Sequence, residues 1–444
     1  MTETTVTGRR DFSGSVQMDN RLRQVIPGGG HTYAKGADQY PEGMAPVISR
    51  GRGANVWDVD GNRYLEYGSG LRAVSLGHAH PRVNAAVAAA IGLGTNFARP
   101  SSIELDAAES LLSILPRAQM VKFAKNGSDA TTAAVRLARA VTGRDHVAIC
   151  RDHPFFSVDD WFIGVSAMPA GIPKSARTQT LTFGYGDLTS IQELFETYRD
   201  QIACIVLEGA TAVEPEPGYF PGLRQMCDEH GVLLVLDEMI TGFRWDLGGA
   251  QQVYGIDPDL STFGKALGNG FAVSALVGKG EYMRLGGTDH HDERVFLLST
   301  THGAETHALA AAMAVIDVYR DEGVIETLHE RGDLLARRVA EASAAAGTAE
   351  NVLVAGRASN LIYATLDADG ERSQPFRTLF LQELLERGII APSFVVNAAM
   401  TESDIEYTAE AVHDACLIYR RALDDGIEHY LRGRPVQPAL RPYA

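Results

Sequence analysis

The chain alternates between two hydrophobic periods. From about residue 104 to residue 320, short aliphatic runs are separated by longer stretches whose apolar residues recur every three or four positions. The runs at 147–150, 202–207 and 233–236 are continuous and bounded by chain breakers, a pattern that suits strands buried on both faces of a parallel sheet, and 260–263 is strand-like. Helical spacing covers 104–114, 132–141 and 221–230 between them, and 308–320 predicts a long helix leaving this region. Alternating strand and helix signals argue for α/β layers. Upstream, 54–66 alternates apolar and polar residues about Asp60-Gly61-Asn62, which predicts a hairpin. An Ala-rich helix follows at 83–91. Residues 1 to about 25 are polar and predict a loosely held arm. Strands at 352–355 and 361–366, with helical spacing around them, predict a smaller α+β unit at the end. The expected organisation is an N-terminal arm and small-domain segment over 1–75, a large domain over 76–322 and a C-terminal small domain over 323–444.

Composition narrows the class. The chain has 444 residues, 45% of them hydrophobic and 22% charged, as in ordinary globular proteins. The formal charge of −16 argues against nucleic acid or an anionic membrane surface and is compatible with a cationic small molecule. Cys150, Cys204, Cys227 and Cys416 form neither a zinc-ligand spacing nor a disulfide framework. With no apolar leader near residue 1 and no run near the roughly 20 residues that span a bilayer, a cytoplasmic protein is expected.

Three segments carry chemistry. Leu233-Leu-Val-Leu-Asp-Glu-Met-Ile-Thr-Gly-Phe-Arg244 ends a buried strand in two carboxylates, Asp237 and Glu238. Ligands of open α/β sheets bind outside such strand ends, although these acids suit a helix cap or a structural ion pair equally. Ser261-Thr-Phe-Gly-Lys-Ala-Leu-Gly-Asn-Gly270 sets Lys265 in a Gly-rich turn. A desolvated lysine there is a nucleophilic amine, and a solvated one is a plain surface residue. Asn126-Gly127-Ser128 opens a helix, whose free N–H groups make an anion seat or simply accept a serine cap. Together the three supply what pyridoxal 5′-phosphate needs: a phosphate seat, an acid for the pyridinium proton and an imine-forming lysine.

The sequence resembles the class III, fold type I aminotransferases, nearest the glutamate-1-semialdehyde aminotransferase-like branch associated with sugar and aminoglycoside pathways. The resemblance runs from about residue 20 to residue 430. It rests on Trp57-Asp-Val-Asp-Gly-Asn62, Gly77-His-Ala-His-Pro81, Asn126-Gly-Ser-Asp-Ala130, Arg136-Leu-Ala-Arg-Ala-Val-Thr-Gly-Arg144, Asp237-Glu-Met-Ile-Thr-Gly-Phe-Arg244 and the Lys265 turn, in that order. It implies an α/β fold with a mostly parallel seven-stranded sheet between helices, an N-terminal segment and a small α+β C-terminal domain. It also implies that Lys265 bonds pyridoxal phosphate covalently and moves the proton, that Asp237 pairs with the ring nitrogen, and that Gly127 and Ser128 hold the phosphate. Phe155 and Met239 fall where the family covers the two ring faces. Glu208 matches a strand-end glutamate, with Gly209 where the family usually has proline. Thr300 and Thr301 match a stretch that reaches a partner's phosphate, which implies a homodimer with a shared site.

Two substrate-facing positions depart from the semialdehyde enzyme. Lys35 stands near its carboxylate-binding arginine, and Val396 replaces a glutamate. The block Asp152-His-Pro-Phe-Phe-Ser-Val-Asp-Asp-Trp161 replaces an aromatic-His-Gly motif. Asp152, His153, Asp159 and Asp160 then face hydroxyls or ammoniums, or the block is a structural loop. His78, His80 and the acidic-histidine run 289–292 read as turn and loop, with no metal. The expected activity is transfer of an amino group from a donor such as glutamate to a small-molecule carbonyl, an oxo-sugar or aminoglycoside intermediate among them. The alternatives are a glutamate-1-semialdehyde 2,1-aminomutase, an epimerase or eliminase acting on an amino sugar, or a non-catalytic binding protein on the same fold.

Overall fold

The aliphatic runs fold as strands of one sheet in the computed structural model, which describes residues 10–153, 155–210 and 212–443. In chain order they are β1 (Met120–Ala124), β2 (His146–Cys150), β3 (Thr180–Phe183), β4 (Ile202–Glu208), β5 (Leu233–Asp237), β6 (Leu260–Phe263) and β7 (Ser274–Gly278). Their spatial order is β1-β7-β6-β5-β4-β2-β3. Strands β6, β5, β4, β2 and β3 run parallel, and β7 lies antiparallel between β1 and β6. Every residue of β4, β5 and β6 is buried, which is why 202–207 and 233–236 read as unbroken apolar runs rather than as alternating ones.

Each face of the sheet has its own core. On one side, Ala130, Ala134, Leu137 and Ala138 of the helix Gly127–Thr142 lie in a cluster with Val147, Val206 and Val235. On the other, Phe220, Leu223 and Cys227 of the helix Tyr219–His230 meet Ile205, Leu207, Leu234 and Leu236. Full burial of each large apolar side chain is worth about 1.5–3 kcal/mol. This double cover holds the carboxyl ends of β4, β5 and β6 in register: Glu208 pairs with Asp237 and Asp237 with Thr262.

The chain forms two compact units. One runs from Gly70 to Leu328, and the other joins the segments before Gly70 and after Leu328. The second unit holds the four-stranded sheet built from Ile48–Arg52, Asn55–Asp58, Arg63–Glu66 and Ile389–Ile390. The expected hairpin at 54–66 is its middle pair. The loosely held arm is corrected: Ser13–Val25 is a helix, and residues 1–9 lie outside the described residues. The cause is Asp60 in the hairpin turn, whose carboxylate accepts from Gly14 N at 2.5 Å, Ser15 N at 2.8 Å and Ser15 Oγ at 2.6 Å. An acid at the positive end of a helix satisfies its free donors.

Among the described residues, no helix is long and apolar enough to cross a membrane. All four cysteines are free and buried.

Candidate active site

Three carboxyl-terminal strand ends converge on one place. Strand β4 ends in Glu208, β5 in Asp237, and β6 is followed by Gly264 and Lys265. Asp237 Oδ1 accepts from Met239 N at 2.9 Å and from Thr262 Oγ1 at 3.2 Å. Both bonds fall on Oδ1, which leaves Oδ2 for another donor. Lys265 has a left-handed backbone, with φ at +46°. Its amine lies within electrostatic reach of both Asp237 and Glu208. Burial pushes the Asp237 and Glu208 carboxyls up and the Lys265 amine down, and each opposite charge counters the shift of its neighbour. Glu208 Oε2 is buried with no hydrogen-bond partner, which is costly unless something else comes to the site.

The helix Gly127–Thr142 points its N-terminus at the same region. Asp129 Oδ2 accepts from Asn126 N at 2.9 Å, and Ser274 Oγ of β7 donates to Asn126 O at 2.7 Å. The start of the helix is thereby fixed to the sheet. Ser128 Oγ accepts from Val158 N at 3.1 Å and keeps its own proton to donate. Met239 links this helix start to the lysine turn: a Cβ on Gly127 would lie 3.0 Å from Met239 Sδ, and one on Gly264 would lie 2.6 Å from it. Both glycines make room for the thioether.

These residues fit pyridoxal phosphate. The helix start can take its phosphate, Asp237 Oδ2 its ring N–H and Lys265 its aldehyde carbon, while the buried Glu208 Oε2 nearby has no hydrogen-bond partner. The chain matches the family model described as aminotransferase class-III over residues 36–155 and 162–416. It belongs to the class III aminotransferases. This aminotransferase is 34% identical over 418 residues to the glutamate-1-semialdehyde 2,1-aminomutase of Desulfitobacterium hafniense (strain Y51), covering 89% of this chain and 96% of that one. It is 34% identical over 429 residues to the enzyme of the same name from Desulforudis audaxviator (strain MP104C), covering 91% and 98%. Among solved structures, an omega-transaminase from Sphaerobacter thermophilus aligns with a TM-score of 0.82 at 26% identity, over 92% of this chain and 98% of that one. The FumI protein of Sphingopyxis sp. MTA144, solved in its PLP internal aldimine form, aligns with a TM-score of 0.84 at 26% identity, over 95% and 98%. The aminotransferase is a fold type I enzyme that uses pyridoxal 5′-phosphate.

The other expected site residues are distributed more widely. Phe155 is 43% exposed, with its ring edge-on to Phe162 at 5.4 Å between centroids. Thr300 and Thr301 are exposed, and Thr301 O accepts from Asn96 Nδ2 at 3.0 Å. Lys35 is exposed in the short turn Tyr33–Lys35 of the other compact unit, which also holds the fully buried Val396. Gly209 has a local cause, because a Cβ there would lie 2.2 Å from that of Ala250.

The 152–161 block is bonded to the segments around it, with Pro154 outside the described residues. Asp152 Oδ2 accepts from Tyr185 N at 2.7 Å. Asp159 Oδ2 accepts from Thr132 Oγ1, and Asp159 and Asp160 line a surface groove with Arg136, Arg139 and Trp161. His153 is buried, and its Nδ1 accepts from Glu208 N at 3.1 Å. Burial pushes this imidazole down to about 4, so at neutral pH it braces the end of β4 as an uncharged ring. These bonds favour the structural-loop reading of the block.

The sequence reading left Thr262, Asn269 and Arg72 unassigned. Thr262 had a signal, since a hydroxyl inside a fully buried strand needs a partner. Asn269 Oδ1 accepts from Leu76 N at 3.0 Å and its Nδ2 donates to Gly77 O at 3.1 Å, joining segments nearly two hundred residues apart in a way no local pattern shows. Arg72 has its burial and the Glu208 charge acting on it in opposite directions.

Proposed function

We propose that this enzyme is a transaminase that takes an amino group from a donor such as glutamate and delivers it to the carbonyl of a small molecule, an oxo-sugar or aminoglycoside intermediate being the acceptor class of choice. The observation that carries the reading is the Lys265 amine set between two strand-end acids, one of which keeps an oxygen available. Bound pyridoxal phosphate supplies an aldehyde that captures amines and a ring that takes up the electron pair released at the substrate carbon. The rest falls to the chain. Asp237 holds a proton on the ring nitrogen and so keeps the ring cationic. The N–H groups at the start of Gly127–Thr142 and the Ser128 hydroxyl hold the phosphate. Lys265, when its amine is released by substrate, takes the proton from the substrate carbon and returns it elsewhere, a role suited to an amine whose charged form burial disfavours.

The exposed Thr300 and Thr301, together with exposed Phe296 and Leu93, support a homodimer in which these threonines complete the partner's phosphate site. Four free buried cysteines suit a reducing cytoplasm. The acidic charge of −16 suits a cationic acceptor.

A second reading has its own support, since the curated relatives at 34% identity are named glutamate-1-semialdehyde 2,1-aminomutases. One experiment separates the two. Holoenzyme is mixed with glutamate or alanine in a single turnover, and its absorbance is followed near roughly 410–430 nm, the range expected for an imine of this cofactor. A transaminase bleaches that band and releases a keto acid. An enzyme that ignores every amino donor and converts glutamate 1-semialdehyde to 5-aminolevulinate is the mutase. In either case Lys265→Ala removes the band and lowers turnover by at least roughly 1,000-fold. A Lys265→Ala protein that keeps full activity would remove the basis of both readings.

A further inference from the structure

A cluster of charged side chains joins the turn before Gly127 to the loop that carries Thr300 and Thr301. Lys125 directly follows β1 and stands two places before Gly127. Its Nζ makes an ion pair with Glu305 Oε2 at 2.6 Å and donates to Ala272 O at 3.1 Å. Both members of the pair are mostly shielded from solvent, Lys125 at 17% exposure and Glu305 at 22%. Ala272 lies between the Lys265 turn and β7. One amine thus ties together three segments: the turn before the phosphate seat, the exit of the lysine turn and the end of the threonine loop. A lysine is a point charge on a flexible stem, and these two acceptors give it a fixed place.

Glu305 completes the arrangement from the other side. It immediately precedes the helix Thr306–Glu322, where free N–H groups favour an acid. Its Oε1 lies 3.1 Å from His302 Nδ1 and its Oε2 lies 3.8 Å from His307 Nε2. The hydrogen bond from Lys125 leads the influences that hold the Glu305 carboxyl below the usual carboxylate range. The rest of the loop is also pinned. Thr306 N donates to Thr95 O at 3.1 Å. A Cβ on Gly303 would lie 2.8 Å from Thr300 Oγ1 and 3.3 Å from Phe123 O, so the loop passes close against β1. All of these residues belong to the compact unit that holds Lys265 and Asp237.

We propose that Lys125 and Glu305 are positioning residues for the cofactor phosphate, their ion pair holding the Thr300-Thr301 loop in fixed register with the helix start at Gly127 and Ser128. The proposal rests on the reading in which these threonines complete a phosphate site, and it adds the device that sets them in place. Donors misplaced by an ångström lose much of their effect.

The test measures cofactor binding without turnover. Apoenzyme is titrated with pyridoxal 5′-phosphate and with pyridoxal, which has the same ring and aldehyde but no phosphate, and absorbance follows imine formation. Wild type should strongly prefer the phosphorylated aldehyde; a wild type without that preference has no phosphate seat to position. Lys125→Met should cut the preference by roughly 10-fold, the worth of a charge-assisted bond, and change pyridoxal affinity by less than about twofold. Glu305→Gln should do the same, and it preserves the test if the first variant does not fold. Lys125→Arg keeps the charge and should recover most of the preference. Replacing Thr300 and Thr301 together by alanine should also lower it, and adding Lys125→Met to that variant should lower it no further. Equal losses on both aldehydes would make the pair a general brace and overturn the proposal. So would losses that multiply in the combined variant, or threonines whose removal leaves the preference unchanged. Sedimentation of the holoenzyme separates the homodimer reading: a monomer with the same pattern refutes the homodimer and keeps the pair, because the loop then serves the phosphate of its own chain.

Discussion

Asp237 and Glu238 are adjacent buried acids in regions that treat a carboxylate in opposite ways. Glu238 faces the turn that follows β5. It accepts from Ala250 N and Gln251 N at 2.8 Å each and from Thr241 Oγ1. The loop closes around it: a Cβ on Gly249 would lie 2.2 Å from Glu238 Oε2. Even so, burial pushes Glu238 up to about 7. Asp237 faces the site. It receives two bonds on one oxygen, and the opposite charge acting on it is the Lys265 amine. Glu208 beside it accepts nothing on Oε2. Saturated bonding marks the acid that holds the turn, and incomplete bonding marks the acids that await a ligand.

The contrast breaks if the two acids fail in the same manner. Asp237→Asn should lower kcat/KM by roughly 100- to 1,000-fold, the effect of removing one partner of a buried charge pair, and leave apoenzyme melting within a few degrees of wild type. Calorimetry and steady-state kinetics check it together. Glu238→Ala should do the reverse, destabilising by about 3 kcal/mol because three buried donors lose their acceptor, with Glu238→Gln recovering part of the loss in urea unfolding. His153 sharpens the picture from beneath Glu208. Its imidazole is pushed down to about 4 in the folded chain, so between pH 6.5 and 4 the unfolded chain binds the extra proton. Stability is therefore full above about pH 6.5 and falls with pH through that window, by about 3 kcal/mol in total. A His153→Gln variant should show a flatter fall in unfolding free energy over the same range. The smallest effect is expected at Gly264. An alanine there meets Met239 Sδ and should cost about 1 kcal/mol of holoenzyme stability, a loss that Met239→Ala offsets in the double variant. Additive losses would separate the two positions.

Much of this was legible in the residues. Strands β2, β4 and β5 were legible within a residue of their ends, because burial on both faces favours aliphatic side chains there, and β6 was legible as a strand despite Ser261 and Thr262. The strand-end placement of Asp237 and Lys265 was legible because each follows closely on a buried run at the carboxyl edge of the sheet. The helix Ser13–Val25 was missed, since its stabilising acid, Asp60, lies forty-five residues beyond Ser15. Strands β1 and β7 were also missed. Their residues 120–124 and 274–278 mix Lys, Ser and Gly with apolar side chains, and only their antiparallel pairing defines them. For His153 the residues left substrate-facing and structural-loop readings open, because a histidine among acids and aromatics says nothing of which way it points; the bond from Glu208 N to its Nδ1 joins segments fifty-five residues apart. Arg72 went unread because a left-handed turn through Leu71 and Arg72, at φ of +61° and +70°, contradicts local preference, and contacts from far along the chain, such as Arg244 Nη2 to Arg72 O at 3.0 Å, hold it.

Lys265 itself stands in the left-handed region at φ +46°, at a standing cost of about 1 kcal/mol relative to glycine. A glycine at this position would relax the backbone while removing the amine on which the proposed transamination depends. On the proposed role of Lys265, the position is a place where a random search for robustness runs against catalysis. Lineages selected only for heat tolerance would be drawn toward an inert scaffold, and the lysine persists only where its product matters to the cell.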